Sequence, residues 1–238
     1  MWLVPGLCLG REGALQWYRQ FQEQNKSLGV EFYEGLEADN SKPYWTDHKP
    51  IYERSVQAPM QALLAALEPE FGEPHFFRPY RDVRFSKDKS PYKTACGGTA
   101  GKEEGGAYYV QISARGLMVG AGYWRTASDQ VERLRNAVAD DRTGAQIEGI
   151  LDGLRKDGFE IHGDQLKTRP RGFPPDHPRV DLLRYKTLTA GREWPPEEWL
   201  SSAECLDIVA GAWRAMAPLN GWLETNVGAT TLPMDRRR

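Results

Sequence analysis

Cysteine is scarce in this chain, and so are the other signals that usually name a protein class. The three cysteines, Cys8, Cys96 and Cys205, are far apart, odd in number and form no C-x-x-C pair. That spacing argues against a disulfide framework or a zinc site and fits a reducing cytoplasm. Histidine is equally thin: His48, His75 and His162 are scattered, without metal-ligand spacing, so no metal is expected. No apolar run approaches the roughly 18 residues that span a bilayer. The opening MWLVPGLCLG lacks a basic flank and is too short to cross, so no membrane partner is expected. Net charge is −2, which leaves no global basic field to attract nucleic acid. There is no P-loop, no dinucleotide fingerprint and no internal repeat, and no motif names a cofactor.

What is present is ordinary globular composition, 40% hydrophobic and 27% charged over 238 residues. The length fits one large domain. Residues 1–29 read as a peripheral extension around the amphipathic ALQWYRQFQEQNKSLG. A turn at Asn40, Ser41 and Pro43 separates a short helix from a long one, with Asp47 as a candidate cap. Tyr52, Val56, Met60, Leu63, Leu64 and Leu67 then recur at helical spacing, and Pro59 should kink or divide that helix.

Strands are predicted at Phe76–Phe85, Ala107–Ser113 and Leu117–Trp124, the last two joined by a short hairpin loop. CGGTAGKEEGG between them reads as a flexible glycine-rich loop. Two helices follow, one starting at Ser128 and one capped by Thr143-x-x-Gln146. FEIHGDQLKT reads as a small hairpin turning at Gly163-Asp164. A strand at Tyr185–Thr189 and a long helix from about Pro195 close the pattern, and residues 226–238 read as a flexible tail. Helices, hairpin-joined strands and more helices, without βαβ alternation, predict an α+β fold. It is a single domain over 30–225, with a largely antiparallel sheet flanked by helices.

One stretch is compositionally unlike the rest. Arg78 to Lys93 carries six basic residues and two aspartates on a net-acidic chain. As a strand, Tyr80–Phe85 puts Arg81 on the apolar face with Val83 and Phe85, and Arg84 on the other. A buried arginine needs a carboxylate or a bound anion beside it. Arg81, Arg84, Lys87, Lys89, Tyr92 and Lys93 are therefore candidate ligand-binding residues for an anion such as phosphate, nucleotide or carboxylate. The plainer reading is a solvated charged hairpin with Arg81 in an internal ion pair.

FRPYRDVRFSKDKSPYKT strongly resembles the first signature of the uncharacterised family called domain of unknown function 2461. NSKPYWTDHKPIYE resembles its N-terminal pattern, and LKTRPRGFPPDHPRVDLLRYKTLT its C-terminal one. The hairpin YYVQISARGLMVGAGYW also fits. The resemblance spans about Val30 to Glu224, outside which the N-terminal extension falls. It implies one domain and no established activity.

The C-terminal motif adds Arg171 and Lys186 as candidate ligand contacts. A strand at Tyr185–Thr189 pairing near Tyr80–Phe85 would bring the two basic segments together. Asp176 and His177 are candidate general acid/base groups, although Asp176 also suits a cap for the turn at Pro178. Cys96 near Lys93 reads either as a nucleophilic thiol or as an ordinary small residue. Two functional readings stand: a basic, aromatic pocket for an anionic small molecule, with or without catalysis, and a non-catalytic module that contacts protein or nucleic acid.

Overall fold

A computed structural model describes residues 29–101 and 106–232. The sequence-predicted extension, apart from Gly29, and the end of the tail lie outside these residues, as do Cys8 and the middle of the glycine-rich loop. The fold is α+β, with a six-stranded antiparallel sheet and helices before, between and after its strands.

Helix α1 covers Val30–Ala38 and α2 covers Lys42–Tyr52. Ser41, not Asp47, caps α2: its Oγ accepts from Tyr44 N at 3.3 Å, and Pro43 fills the first turn where no N–H is needed. Asp47 is left inside the helix. A single π-turn, Glu53–Gln57, then joins α2 to α3 (Ala58–Phe71). Pro59 explains it. A proline ring collides with the carbonyl four residues back, here Ser55, and offers it no donor. The widened turn takes up that mismatch without ending the helix. Met60, Leu63 and Leu64 of α3 are buried to within 1% exposure, so packing holds the distorted helix in place.

The strands are β1 (Pro74–Phe76), β2 (Ala95–Gly101), β3 (Ala107–Ser113), β4 (Gly116–Tyr123), β5 (Glu160–His162) and β6 (Leu188–Trp194), in the order β1-β2-β3-β4-β6-β5. The β3–β4 hairpin matches its sequence reading. Four other expectations are corrected. The strand expected at Phe76–Phe85 stops at Phe76, and beyond it only Tyr80 keeps an isolated bridge, to Tyr92. Pro79 and Pro91 cannot donate to a ladder, so pairing does not propagate. The start of the expected loop, residues 96–101, belongs to strand β2, which begins at Ala95. Its glycines fit because backbone is close on both sides: a Cβ on Gly97 would lie 2.5 Å from Val110 O, and one on Gly98 would lie 2.7 Å from His75 O. Finally, β5 does not fold back on its own sequence. It pairs with β6, His162 opposite Thr189 and Glu160 opposite Gly191. Tyr185 makes only a bridge to Gln165, and the strand expected there starts at Leu188.

The described residues fall into two compact units. The first holds the chain up to Ala100, with Tyr109–Val119 and Glu193–Gly211. The second holds Gly101–Tyr108, Gly120–Arg192 and the chain from Ala212. In the first, α3 covers one side of β2, since a Cβ on Gly98 would also meet Leu64 Cδ1 at 2.6 Å.

The second unit contains α4 (Ser128–Ala139), α5 (Asp141–Lys156) and the short α6 (Val180–Leu183). Gln130, not Ser128, closes the start of α4, its Oε1 accepting from Ala127 N at 2.9 Å. Asp140 caps α5, accepting from Arg142 N and Thr143 N, so Thr143 and Gln146 form no capping box. The last helix, α7 (Glu204–Asn226), begins well after Pro195 and Pro196, behind a 3₁₀ turn at Glu198–Ser201. Residues 227–232 are hydrogen-bonded to α4. Arg133 donates to Val227 O and Ala229 O, Gln130 Nε2 to Gly228 O, and Asp129 accepts from Thr230 Oγ1 and Thr231 N.

Candidate functional site

The sequence-predicted basic strip is a loop with a closed neck. Arg81 N donates to Pro91 O at 2.9 Å, and Lys93 N to Pro79 O at 2.8 Å, on either side of the Tyr80–Tyr92 bridge. Asn40 braces the same neck. Its Nδ2 donates to Tyr92 O and its Oδ1 accepts from Tyr92 N, both at 3.1 Å. Trp45 stacks on Tyr92 with ring centroids 4.2 Å apart and planes 9° apart. The NSKPYW and SPYK segments thus meet through a side chain that satisfies a backbone amide as a neighbouring strand would.

Within the loop the charges largely answer one another. Arg81 pairs with Asp88 at 2.5 Å, and Arg84 pairs with both oxygens of Asp82 at 2.9 and 2.6 Å. The Ser90 hydroxyl and amide, with Arg81, hold the Asp88 carboxyl down to about 2. Hydrogen bonds from Arg84 hold Asp82 at about 2 as well. Phe85 is 90% exposed, so the expected apolar face with a buried Arg81 does not exist. The internal ion pair of the plainer reading is what forms. Lys87 is exposed, and Lys89 Nζ donates to Val83 O, which draws the loop together.

Lys93 differs from these. It lines a cavity of about 340 Å³ with Phe77, Arg81, Thr94, Ala95, Gly97, Tyr109 and Gln111, all in the first unit. Strand alternation puts Ala95 and Gly97 of β2 beside Tyr109 and Gln111 of β3, on the side of β2 opposite Leu64. The Lys93 ammonium lies 5.4 Å from the centroid of the Phe77 ring and has no carboxylate partner among the described residues. Burial and then the nearby Arg78 guanidinium hold its pKa below the ordinary lysine value. The Tyr109 hydroxyl donates to Gln111 Oε1, and burial raises it to about 12, so it stays protonated at neutral pH. The cavity therefore presents a partly dehydrated cation, a guanidinium, a phenol and an amide around an aromatic wall.

Cys96 is not the nucleophile that its neighbourhood to Lys93 allowed. It is buried beside Tyr33 and Tyr52, and burial pushes its thiol up to about 12. Asp176 is exposed and forms no acid/base pair with His177 and no cap. The bracing role belongs to His177, whose Nδ1 accepts from Arg179 N at 3.0 Å. Arg171, Asp176, His177 and Lys186 all lie in the second unit. Because β6 has β4 and β5 as neighbours and β1 ends at Phe76, the strand pairing expected to join the two basic segments does not occur. Lys186 instead lines a separate cavity of about 470 Å³ with Trp124 and Arg125. No group of three His, Cys, Asp or Glu able to hold a metal is present among the described residues, and no described helix is long and apolar enough to cross a membrane.

Sequence reasoning missed Phe77, Thr94, Tyr109 and Gln111. A signal for two of them was present: Tyr109 and Gln111 sit at i and i+2 in AYYVQIS, the polar-capable face of an otherwise apolar strand. No curated protein matches the chain. The family model described as conserved hypothetical protein (DUF2461) matches residues 29–222, the span that carries the neck, the cavity and the whole sheet, and the chain belongs to that family.

Proposed function

We propose that the cavity of the first unit binds a small anionic molecule, a phosphate or carboxylate compound, with Lys93 and Arg81 as its charged contacts. One observation carries the reading: Lys93 is held in a concave, partly dehydrated site without a carboxylate partner among the described residues, while the loop's Arg84 and Arg81 each have one. An unpaired cation that has lost part of its hydration carries a desolvation cost, and a bound anion offsets it. The volume lies at the small end of metabolite sites. Asp88 sets a threshold, because a ligand must draw Arg81 from an existing pair or share it. Cys96, buried and in no disulfide, agrees with a cytoplasmic setting. Arg171 and Lys186, in the other unit, take no part in this reading.

The test is a thermal-shift panel of phosphate, sugar phosphates, nucleotides and dicarboxylates on wild type, Lys93→Met and Arg84→Ala. An anion that binds here raises the wild-type Tm with concentration, loses its effect in Lys93→Met and keeps it in Arg84→Ala. Added salt should weaken the shift only in part, since the contact is half-buried. A panel in which no anion shifts wild type more than Lys93→Met rejects the reading. The interaction-module alternative then leads, because Phe85 is 90% exposed at a loop rich in Arg and Lys, as a partner-contacting anchor would be.

A further inference from the structure

Lys93 has chemistry beyond charge. A lysine amine becomes a nucleophile when it is partly dehydrated, near another cation and free of a carboxylate that would keep it protonated. Lys93 meets each condition: it lines the cavity together with the Arg81 guanidinium, the Arg78 charge also acts on it, and it has no acidic partner among the described residues. The groups around it are Arg78, Arg81 with its Asp88, the Cys96 thiol and the Tyr109 phenol. None of these is a free carboxylate. Phe77 packs against the amine and limits its hydration.

We propose that Lys93 is a nucleophilic amine that forms an imine with a small carbonyl compound bearing a carboxylate or phosphate. The substrate class rests on the anion-binding reading above, with Arg81 holding the anionic group. The neutral Nζ lone pair attacks the carbonyl carbon, and the C=O π pair moves onto oxygen. Tyr109, protonated at neutral pH and lining the same cavity, gives that oxygen a proton and recovers one from the nitrogen. The carbinolamine C–O bond then breaks, the oxygen leaves as water with the second amine proton, and a C=N bond remains. Amine and carbonyl become imine and water, with no oxidant or reductant required. Gln111 accepts the Tyr109 hydroxyl hydrogen and so fixes the direction of that O–H until a substrate oxygen competes for it.

The experiment is borohydride trapping on the full chain at pH 7, with glyoxylate, pyruvate, dihydroxyacetone phosphate and, as a neutral control, propionaldehyde. Peptide mapping by mass spectrometry reads the adduct at each lysine. Lys87 and Lys89, on the exposed loop nearby, are internal references. Lys93, lining the cavity beside Phe77 and Tyr109, is therefore expected to be labelled severalfold faster than Lys87. Tyr109→Phe should slow trapping at Lys93 without slowing it at Lys87. Lys93→Arg should abolish the adduct while retaining the anion-induced Tm shift. Equal labelling of Lys93 and Lys87 in wild type overturns the imine proposal and leaves anion binding standing. Fast labelling of Lys93 by propionaldehyde, together with a flat anion panel, retains the reactive amine and rejects the anion reading. The wild-type labelling ratio decides the matter even if a variant fails to fold.

Discussion

Asn40 uses one side-chain amide to satisfy both backbone groups of Tyr92, 52 residues away, with each bond 3.1 Å long. Tyr92 is 6% exposed, so water cannot easily replace either bond. Asn40→Ala should destabilise the protein by about 2–3 kcal/mol, since two buried backbone groups lose their partners. For a domain of this size that is roughly 5–10 °C in Tm. Asn40→Asp keeps the acceptor and loses the donor, and its melt should fall between the two. An Asn40→Ala melt within a degree of wild type would show that the backbone bonds of the neck and the Trp45 stack hold it without Asn40.

Arg81→Met and Lys87→Met should melt close together. The Arg81–Asp88 pair is partly exposed on both sides, at 34% and 52%. Such pairs contribute at most about 1 kcal/mol. The neck bond from Arg81 N survives the substitution because it is a backbone bond. A large Tm loss in Arg81→Met alone, measured by calorimetry, would mean that Arg81 is committed to the buried side after all.

The architecture was legible in the sequence where pattern and packing agree. AYYVQIS-ARG-LMVGAGYW alternates, carries β-branched and aromatic residues, and folds as a hairpin. The strip at Arg78–Lys93 was legible as unusual but not as a loop. Alternation assigns faces to any strand, yet it cannot tell whether a partner strand exists, and Pro79 and Pro91 deny it one. The glycines of β2 misled for the opposite reason. Glycine-rich sequence reads as loop, whereas here the small side chain admits His75 and Val110 backbone at distances that exclude a Cβ. Lys93 was legible as basic and Cys96 as its neighbour. Which of the two is buried and which lines a cavity depends on β2 phase, and so on a strand that the composition concealed.

Lys93→Met should raise Tm at neutral pH. Lysine 93 has a native pKa below its unfolded one, so the unfolded chain binds more protons between those values and stability rises with pH there. The penalty is complete below the native value and disappears above the unfolded value of about 10.4. The gain from Lys93→Met should therefore be largest near pH 7 and shrink toward pH 10. A methionine variant that melts lower than wild type throughout would show that the ammonium is a net stabiliser.

Asp129 should govern the C-terminal segment. The Thr230 hydroxyl, then the Thr231 amide and Arg133, hold its carboxyl well below the usual carboxylate range. Its contribution is present above the unfolded value of about 3.9 and is lost as pH falls through the native one. Hydrogen exchange at Thr231 and Leu232 should accelerate in Asp129→Asn at pH 7, and in wild type only at strongly acid pH. Unchanged exchange in the variant would assign the hold to Arg133 and Gln130 alone.

A chain beginning at Gly29 should keep the wild-type melt within a few degrees, and one beginning at Val30 should fall slightly lower. Gly29 O accepts from Tyr33 N at 3.2 Å, and its φ of +76° places it where a Cβ would meet Val56 Cγ2 at 2.2 Å. It is the residue that starts α1. An insoluble product from the longer chain would make residues 1–28 part of the folding core.

The closed neck between Pro79 and Lys93 separates two kinds of inheritance. Its ends are joined by backbone bonds and by Asn40, so residues 82–90 hang from a clasp that does not depend on what they are. Lengthening such a segment adds only about 0.6 kcal/mol of closure entropy per doubling. The segment is thus open to insertion, replacement or grafting of a foreign binding peptide, while the β2 strand that begins just beyond the clasp is held fixed. Variation in what the protein touches and constancy in how it folds can then proceed independently, a few residues apart.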